Sequence, residues 1–223
     1  MISFTVAATG LALLQAAPMT EAGKAIAAEE TAKLERCIAA IEVDAEAAYE
    51  DGLAWLGNGN RPKARHCVAL AMLELGYHAE AAGRLEDLAG APDAGSLETR
   101  ALYHAQAGSA WLLGGMAEPA IVAFDNALKM KPGELDLILD RASAHLLAEN
   151  WRVALDDLNT VLAERPNSGD ALSLRARAHL ALEQFDEALA DVDAARAIAP
   201  DAIDLLVLRG DIREARRVAQ AGG

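Results

Sequence analysis

Between residues 101 and 202 the apolar positions fall on one face at helical spacing, and this period breaks at regular intervals. It breaks inside each stretch at Gly114-Gly115, Glu149-Asn150 and Glu183-Gln184, and between stretches at Pro132, Pro166 and Pro200. A proline pushes the residue before it out of helical geometry, so the chain reads as helix, tight turn, helix, and then a second turn. Pro119 fits this reading because it lies in the first turn of its helix, where the missing N–H would be unpaired anyway. The pattern predicts a series of helical hairpins.

The three prolines are spaced by 34 residues. Setting each as the thirty-second place of a unit gives three blocks in register, 101–134, 135–168 and 169–202. Small residues recur at place eight (Gly108, Ala142, Ala176) and place twenty (Ala120, Ala154, Ala188), and small or medium ones at place twenty-seven (Ala127, Val161, Ala195). Large apolar residues recur at place twenty-four (Phe124, Leu158, Val192). Helices approach closely at small residues, and the large ones fill the space between them. Two weaker units precede these: residues 62–95 carry Ala69, Gly76, Ala81 and Leu85 in matching places, and residues 28–61 carry Ala47 and Ala54. Residues 96–100, "SLETR", interrupt the spacing and read as an inserted loop. Residues 203–223 begin like another first helix, with Gly210 at place eight, and then turn polar, as a capping helix and tail would.

The segments "AGSAWLLGGMAEPAIVAFDNALKMKP" and "ARAHLALEQFDEALADVDAARAIAP" resemble the tetratricopeptide repeat family in their small-residue, alanine, alanine, proline signature. The family's tryptophan at place four is replaced here by His104, Ile138 and Leu172, and its tyrosine at place eleven by Trp111, His145 and His179. The resemblance implies an all-α, right-handed superhelical solenoid of antiparallel helix hairpins whose first helices line a concave groove. At the groove-lining places of the family stand Leu102, Leu113, Leu139, Leu147 and Leu174, with Leu112, Leu146 and Leu180 beside them. Polar company comes from Gln106, Ser109, Asp136, Asp140, Ser143, Asp170 and Arg177. An apolar groove with a few hydrogen-bonding groups suits an extended peptide or an amphipathic helix of a partner protein. Family members that clamp a C-terminal carboxylate use Lys, Asn and Arg at places five and nine. Here Ala105, Ser109, Leu139, Ser143 and Ser173 occupy such places and only Arg177 fits, so that clamp is not expected.

Composition agrees with helices: 53% of residues are hydrophobic but only 4% aromatic, with alanine and leucine dominant. The charge balance, 20 Lys plus Arg against 34 Asp plus Glu, gives a net charge of −14. Such a surface repels a phosphate backbone, so no nucleic-acid partner is expected.

Residues 1–17 contain no charged side chain, and residues 1–27 read as an apolar leader, either a secretory signal lacking its basic n-region or a packed capping helix. A membrane span needs about 20 apolar residues. Pro18 and Glu21 arrive too early for one, so no stable span is expected in the mature form.

Chemistry-bearing patterns are sparse. His145 and His179 share place eleven, so repeat packing explains their spacing better than metal ligation does, and His66-Cys67 has no second pair to complete a site. The acids Asp156, Asp157, Asp191 and Asp193 recur on second helices, where a solvated convex face is the simplest home. No nucleophile elbow, phosphate loop or dinucleotide fingerprint is present in the sequence, so neither catalysis nor a cofactor or metal is expected.

Cys37 and Cys67 fall on successive first helices and are either a disulfide or two buried thiols. Two functional readings follow. One is a non-enzymatic adaptor, periplasmic or secreted, that holds a peptide or helix of a partner protein in its concave groove during bacterial envelope assembly or recruitment. The alternative is a cytoplasmic regulatory or scaffold subunit that self-associates or serves a larger enzyme complex.

Overall fold

The computed structural model describes residues 20–221, and the charge-free run 1–17 lies outside them. Eleven helices and no strand occur among the described residues: α1 (Glu21–Ile41), α2 (Ala45–Gly57), α3 (Pro62–Glu74), α4 (His78–Gly90), α5 (Leu97–Leu113), α6 (Ala117–Met130), α7 (Leu135–Leu147), α8 (Trp151–Glu164), α9 (Gly169–Ala181), α10 (Phe185–Ile198) and α11 (Ile203–Ala221). Each helix packs on its neighbours in sequence, and among the described residues there is no central element around which the rest assemble. This is an all-α solenoid of helix hairpins.

The in-phase positions point inward. Ala142, Ala176, Ala120, Ala154, Ala188, Ala127, Val161 and Ala195 are fully buried, as are Phe124, Leu158 and Val192. Place eight and place twenty-four are matched in volume. A Cβ added to Gly108 would meet ring atoms of Phe124 at 2.7 Å, whereas the later blocks pair alanine with the smaller Leu158 and Val192. Side chains must fill the space between helices at near-crystalline density, so glycine is what admits phenylalanine here.

Every hairpin from α3 onward turns in the same way. Place fifteen is left-handed in all four, with φ of 83° at Gly76, 72° at Gly115, 58° at Glu149 and 59° at Glu183. The next amide reaches back to place eleven: Tyr77 to the Met72 carbonyl (2.9 Å), Met116 to Trp111 (2.9 Å), Asn150 to His145 (2.8 Å) and Gln184 to His179 (2.8 Å). This is the Schellman arrangement that satisfies the orphan carbonyls of a helix end.

Three sequence-based boundaries need correction. Residues 97–100 are not a loop but the first turn of α5, because Ser96 caps the helix by accepting the Thr99 amide at 3.3 Å and Glu98 favours the positive helix end. The true connection runs through residues 91–95, and Arg100 pins it by donating to the Ala89 carbonyl at 2.7 Å. Residues 21–27, counted with the apolar leader in the sequence, form the first turns of α1, where Thr20 accepts the Gly23 amide at 3.2 Å and no proline interrupts the helix. The unit 28–61 is also out of phase by one residue. Ala47 and Ala54 are exposed, and Ala48 and Gly52 face inward instead. Gly52 sets this register: a Cβ there would lie 3.0 Å from the Cys67 sulfur and 3.1 Å from Val68 Cγ2, so the glycine is what lets α2 approach α3 this closely.

Cys37 on α1 and Cys67 on α3 form a disulfide with Cα atoms 6.0 Å apart. At the other end α11 covers α10 by burying Leu205, Leu208 and Ile212.

Candidate functional site

Successive first helices α5, α7, α9 and α11 pack directly on one another, while second helices are held further apart. An array whose first helices converge curves toward them, so they line the inner face. The groove residues picked out by the sequence all lie on α5, α7 and α9.

Their environments divide them. Leu102, Leu113 and Leu147 are solvent-exposed, at 48, 64 and 47%. Leu139 and Leu174, together with Leu146 and Leu180, are half-buried against the core, and Leu112 packs beside Phe124. The exposed apolar surface is therefore smaller than a count of leucines suggests. Asp136, Asp170 and Arg177 are exposed; Gln106, Ser109, Asp140 and Ser143 are half-buried.

Several polar groups already have partners. Ser109 and Ser143 each donate to the carbonyl one turn back, Ala105 at 3.1 Å and Leu139 at 3.2 Å, which leaves their oxygens able to accept. Gln106 Oε1 bonds His66 Nε2 at 2.7 Å, tying α5 to α3. Burial pushes the His66 pKa down against the opposing effect of that bond, and the imidazole ring meets Tyr103 edge-on at 4.9 Å. Asp136 pairs with Arg165. Asp140 has its pKa raised, first by burial and then by neighbouring Asp136. A cleft of about 540 Å³ between α9 and α11 is lined by Asp170, Leu174 and Arg177 among others, so these three share one site.

A larger cleft, about 690 Å³, lies elsewhere. It opens between α1 and α2 beside the disulfide and is lined by Trp55, Glu30 and Arg61 among others. Glu30 is buried, with one carboxylate oxygen accepting from Arg61 at 2.9 Å and the other unpartnered.

The sequence reading missed a ladder of arginines at place seven. Arg141 grips Asp157 with two hydrogen bonds (2.9 and 2.7 Å) and reaches Asp125 of the preceding hairpin at 2.7 Å. Arg175 repeats the arrangement one hairpin later, gripping Asp191 at 2.7 Å twice and reaching Asn159 at 2.8 Å. The hydrogen bonds to Asp157 and Asp191 raise the pKa of both guanidinium groups. Asp157 and Asp191 are accordingly buried, not on a solvated convex face, and only Asp156 and Asp193 are exposed. A 34-residue recurrence of Arg141, Arg175 and Arg209 against acids of the same period carried this signal in the sequence.

No protein-family model matches the chain, and no curated protein does. Solved structures do. A tetratricopeptide repeat protein from Parabacteroides merdae superposes with a TM-score of 0.69 at 16% identity, covering 84% of this chain and 73% of that one. This chain has a tetratricopeptide-repeat fold. Residues 41 to the end of MamA from Desulfovibrio magneticus align on the same repeat fold with a TM-score of 0.61 and 21% identity, over 73% of this chain and 91% of that one. The first such repeat domain of Spaghetti (RPAP3), bound to the HSP90 peptide SRMEEVD, matches with a TM-score of 0.50 and 24% identity, over 53% of this chain and 94% of that one. Within this repeat fold, no group of three or more metal-ligating side chains occurs among the described residues, and none of the described helices is long and apolar enough to cross a membrane.

Proposed function

We propose that the protein is a non-enzymatic adaptor that holds a peptide or amphipathic helix of a partner protein along the inner face of α5, α7 and α9. The observation that carries this reading is the occurrence there of exposed leucines, Leu102, Leu113 and Leu147, together with the acids Asp140 and Asp170, which form no ion pair among the described residues. The peptide-bound RPAP3 domain supports it as a fold-level analogy. Arg177 alone occupies a place suited to a terminal carboxylate, so an apolar segment with basic residues suits this groove better than an acidic tail.

The raised pKa of Asp140 gives the proposal a pH signature. A bound cation favours the ionised carboxylate and lowers that pKa, so binding releases a proton. Affinity for a basic amphipathic peptide rises as pH increases through the elevated pKa, and the Asp140→Asn variant loses this dependence. Titration of the oxidised full chain with a library of Leu/Lys-patterned peptides tests the reading. Leu102→Asp with Leu147→Asp weakens binding at least tenfold if the groove is the site, and unchanged affinity would overturn it.

The disulfide supports an oxidising compartment such as a bacterial periplasm as the place of work, because glutathione keeps such pairs reduced in the cytosol. A role in envelope assembly or recruitment is the corresponding proposal. Intact mass of native material tests it: loss of 2 Da relative to the dithiol supports an oxidising compartment, and a free dithiol favours the cytosolic scaffold instead.

A further inference from the structure

The helix α11 has two faces, and only one of them is used. Leu205, Leu208 and Ile212 cover α10, while the side turned away from it presents Ile203, Leu206, Arg209 at its edge, Gly210 and Arg213. In repeat numbering these are places one, four, seven, eight and eleven. The same places on α7 and α9 receive the second helix of their own hairpin: Ile138 and Leu172 at place four are buried, and Ala142 and Ala176 at place eight are fully buried. On α11 the corresponding Leu206 is 46% exposed, and a Cβ on Gly210 would meet nothing within 4 Å.

The arginine ladder shows what is missing. Arg141 and Arg175 each use their Nε and one Nη on the place-twenty-three aspartate of their own second helix. Arg209 bonds only backward, from its Nε to Asp193 at 2.6 Å, the contact that in Arg141 and Arg175 is made by the remaining Nη. Its two-pronged partner is absent among the described residues.

We infer that α11 is an unfilled docking surface for an amphipathic helix of a partner protein, one that completes a further hairpin in trans. The chemistry of the partner is specified by the two helices that fill the same role inside this molecule. Ala154, Asp157, Leu158 and Val161 on α8, and Ala188, Asp191, Val192 and Ala195 on α10, give the pattern: a small residue, a carboxylate three positions on, a bulky apolar residue next to it, and a small or medium apolar residue three beyond. Charge complementarity selects this occupant, because the Nη groups of Arg209 bond no carboxylate among the described residues, only its Nε being engaged by Asp193, and Arg213 one turn on is exposed. Residues 1–17 carry no charged side chain and so cannot supply one. A second folded copy is disfavoured as well, since its own Asp157 and Asp191 are buried and engaged.

The test uses the oxidised full chain and a hydrocarbon-stapled peptide of the α8 sequence, WRVALDDLNTVLAE, with fluorescence anisotropy as readout. Saturable one-to-one binding is expected, weakened at least tenfold by Leu206→Asp in the protein or by Asp157→Asn in the peptide. Arg209→Glu also weakens it, and a peptide carrying Lys in place of Asp157 recovers affinity for that variant. Leu206 is on the surface, so the Leu206→Asp protein keeps its far-ultraviolet circular dichroism. Absence of saturable binding, or binding insensitive to both protein variants, overturns the inference. So does loss of binding only with Leu102→Asp in the groove, or a dimer in sedimentation that Leu206→Asp dissociates.

Discussion

Arg141 is held by two carboxylates from two different hairpins, Asp157 and Asp125, and this makes it more than a surface charge. Removing it leaves Asp157 buried without its partner, and breaking such a pair costs about 3 kcal/mol. Arg141→Met is therefore expected to lower the unfolding free energy by about that amount in urea titration. The double variant Arg141→Met with Asp157→Leu recovers most of it, because no uncompensated charge remains. His66 acts at the same scale through pH. Burial lowers its pKa in the folded protein, and His104 and His145 shift in the same direction for the same reason. The native state keeps these rings neutral while the unfolded chain takes up protons below about pH 6.5. Their contribution to stability is thus complete above that value and is lost as pH falls through it toward the lower folded pKa. The urea midpoint should fall between pH 7 and pH 5.5, and His66→Phe, with Gln106 then hydrated from the groove, should fall less steeply. Asp140 works in the opposite direction, since protonation relieves its burial.

At the scale of elements the hairpin turns carry the sharpest prediction. Glu149 and Glu183 sit in the left-handed conformation that Gly76 and Gly115 adopt without penalty. Glu149→Gly should stabilise the chain by about 1 kcal/mol, and Gly115→Ala should destabilise it by a similar amount, both read from thermal or chemical denaturation. Much of this level was legible in the sequence. Breaks at Gly114-Gly115, Glu149-Asn150 and Glu183-Gln184 all correspond to turns, and Ala120, Ala154 and Ala188 all face the interior. Where legibility failed, the reason is local. The five residues 96–100 were a break in repeat phase but contain a capping serine and no helix breaker, so they lengthen α5. In the first hairpin, Ala47 and Ala48 are indistinguishable by type, and only the contact of Gly52 with Cys67 and Val68 fixes which of them is inside. The groove leucines were ambiguous in the same sense: Leu139 and Leu147 look alike in sequence, yet one packs on the core and the other is exposed.

The molecule as a whole is held by nearest-neighbour contacts, and the hairpin that fits the repeat register least well is the one that carries a covalent tie. The bridge from Cys37 to Cys67 closes a separation of 30 residues, worth about 3 to 4 kcal/mol by restricting the unfolded chain. Reduction is expected to loosen α1 and α2 first, so limited proteolysis with dithiothreitol should cut within residues 21–57 while residues 97–221 stay protected. The arginines complement this at the other end by linking each hairpin to the one before it, Arg141 to Asp125, Arg175 to Asn159 and Arg209 to Asp193. The 34-residue period that unites these levels can be tested most directly by deleting residues 135–168. The deletion joins α6 to α9 through an unchanged turn register and sets Arg175 against Asp125, the same pairing that Arg141 makes now. A folded, cooperatively melting protein that keeps the mean residue ellipticity of the parent, at reduced stability, is the predicted result. Collapse to an unfolded or aggregated chain, no better than after deletion of residues 135–164, would contradict a solenoid built from interchangeable neighbours.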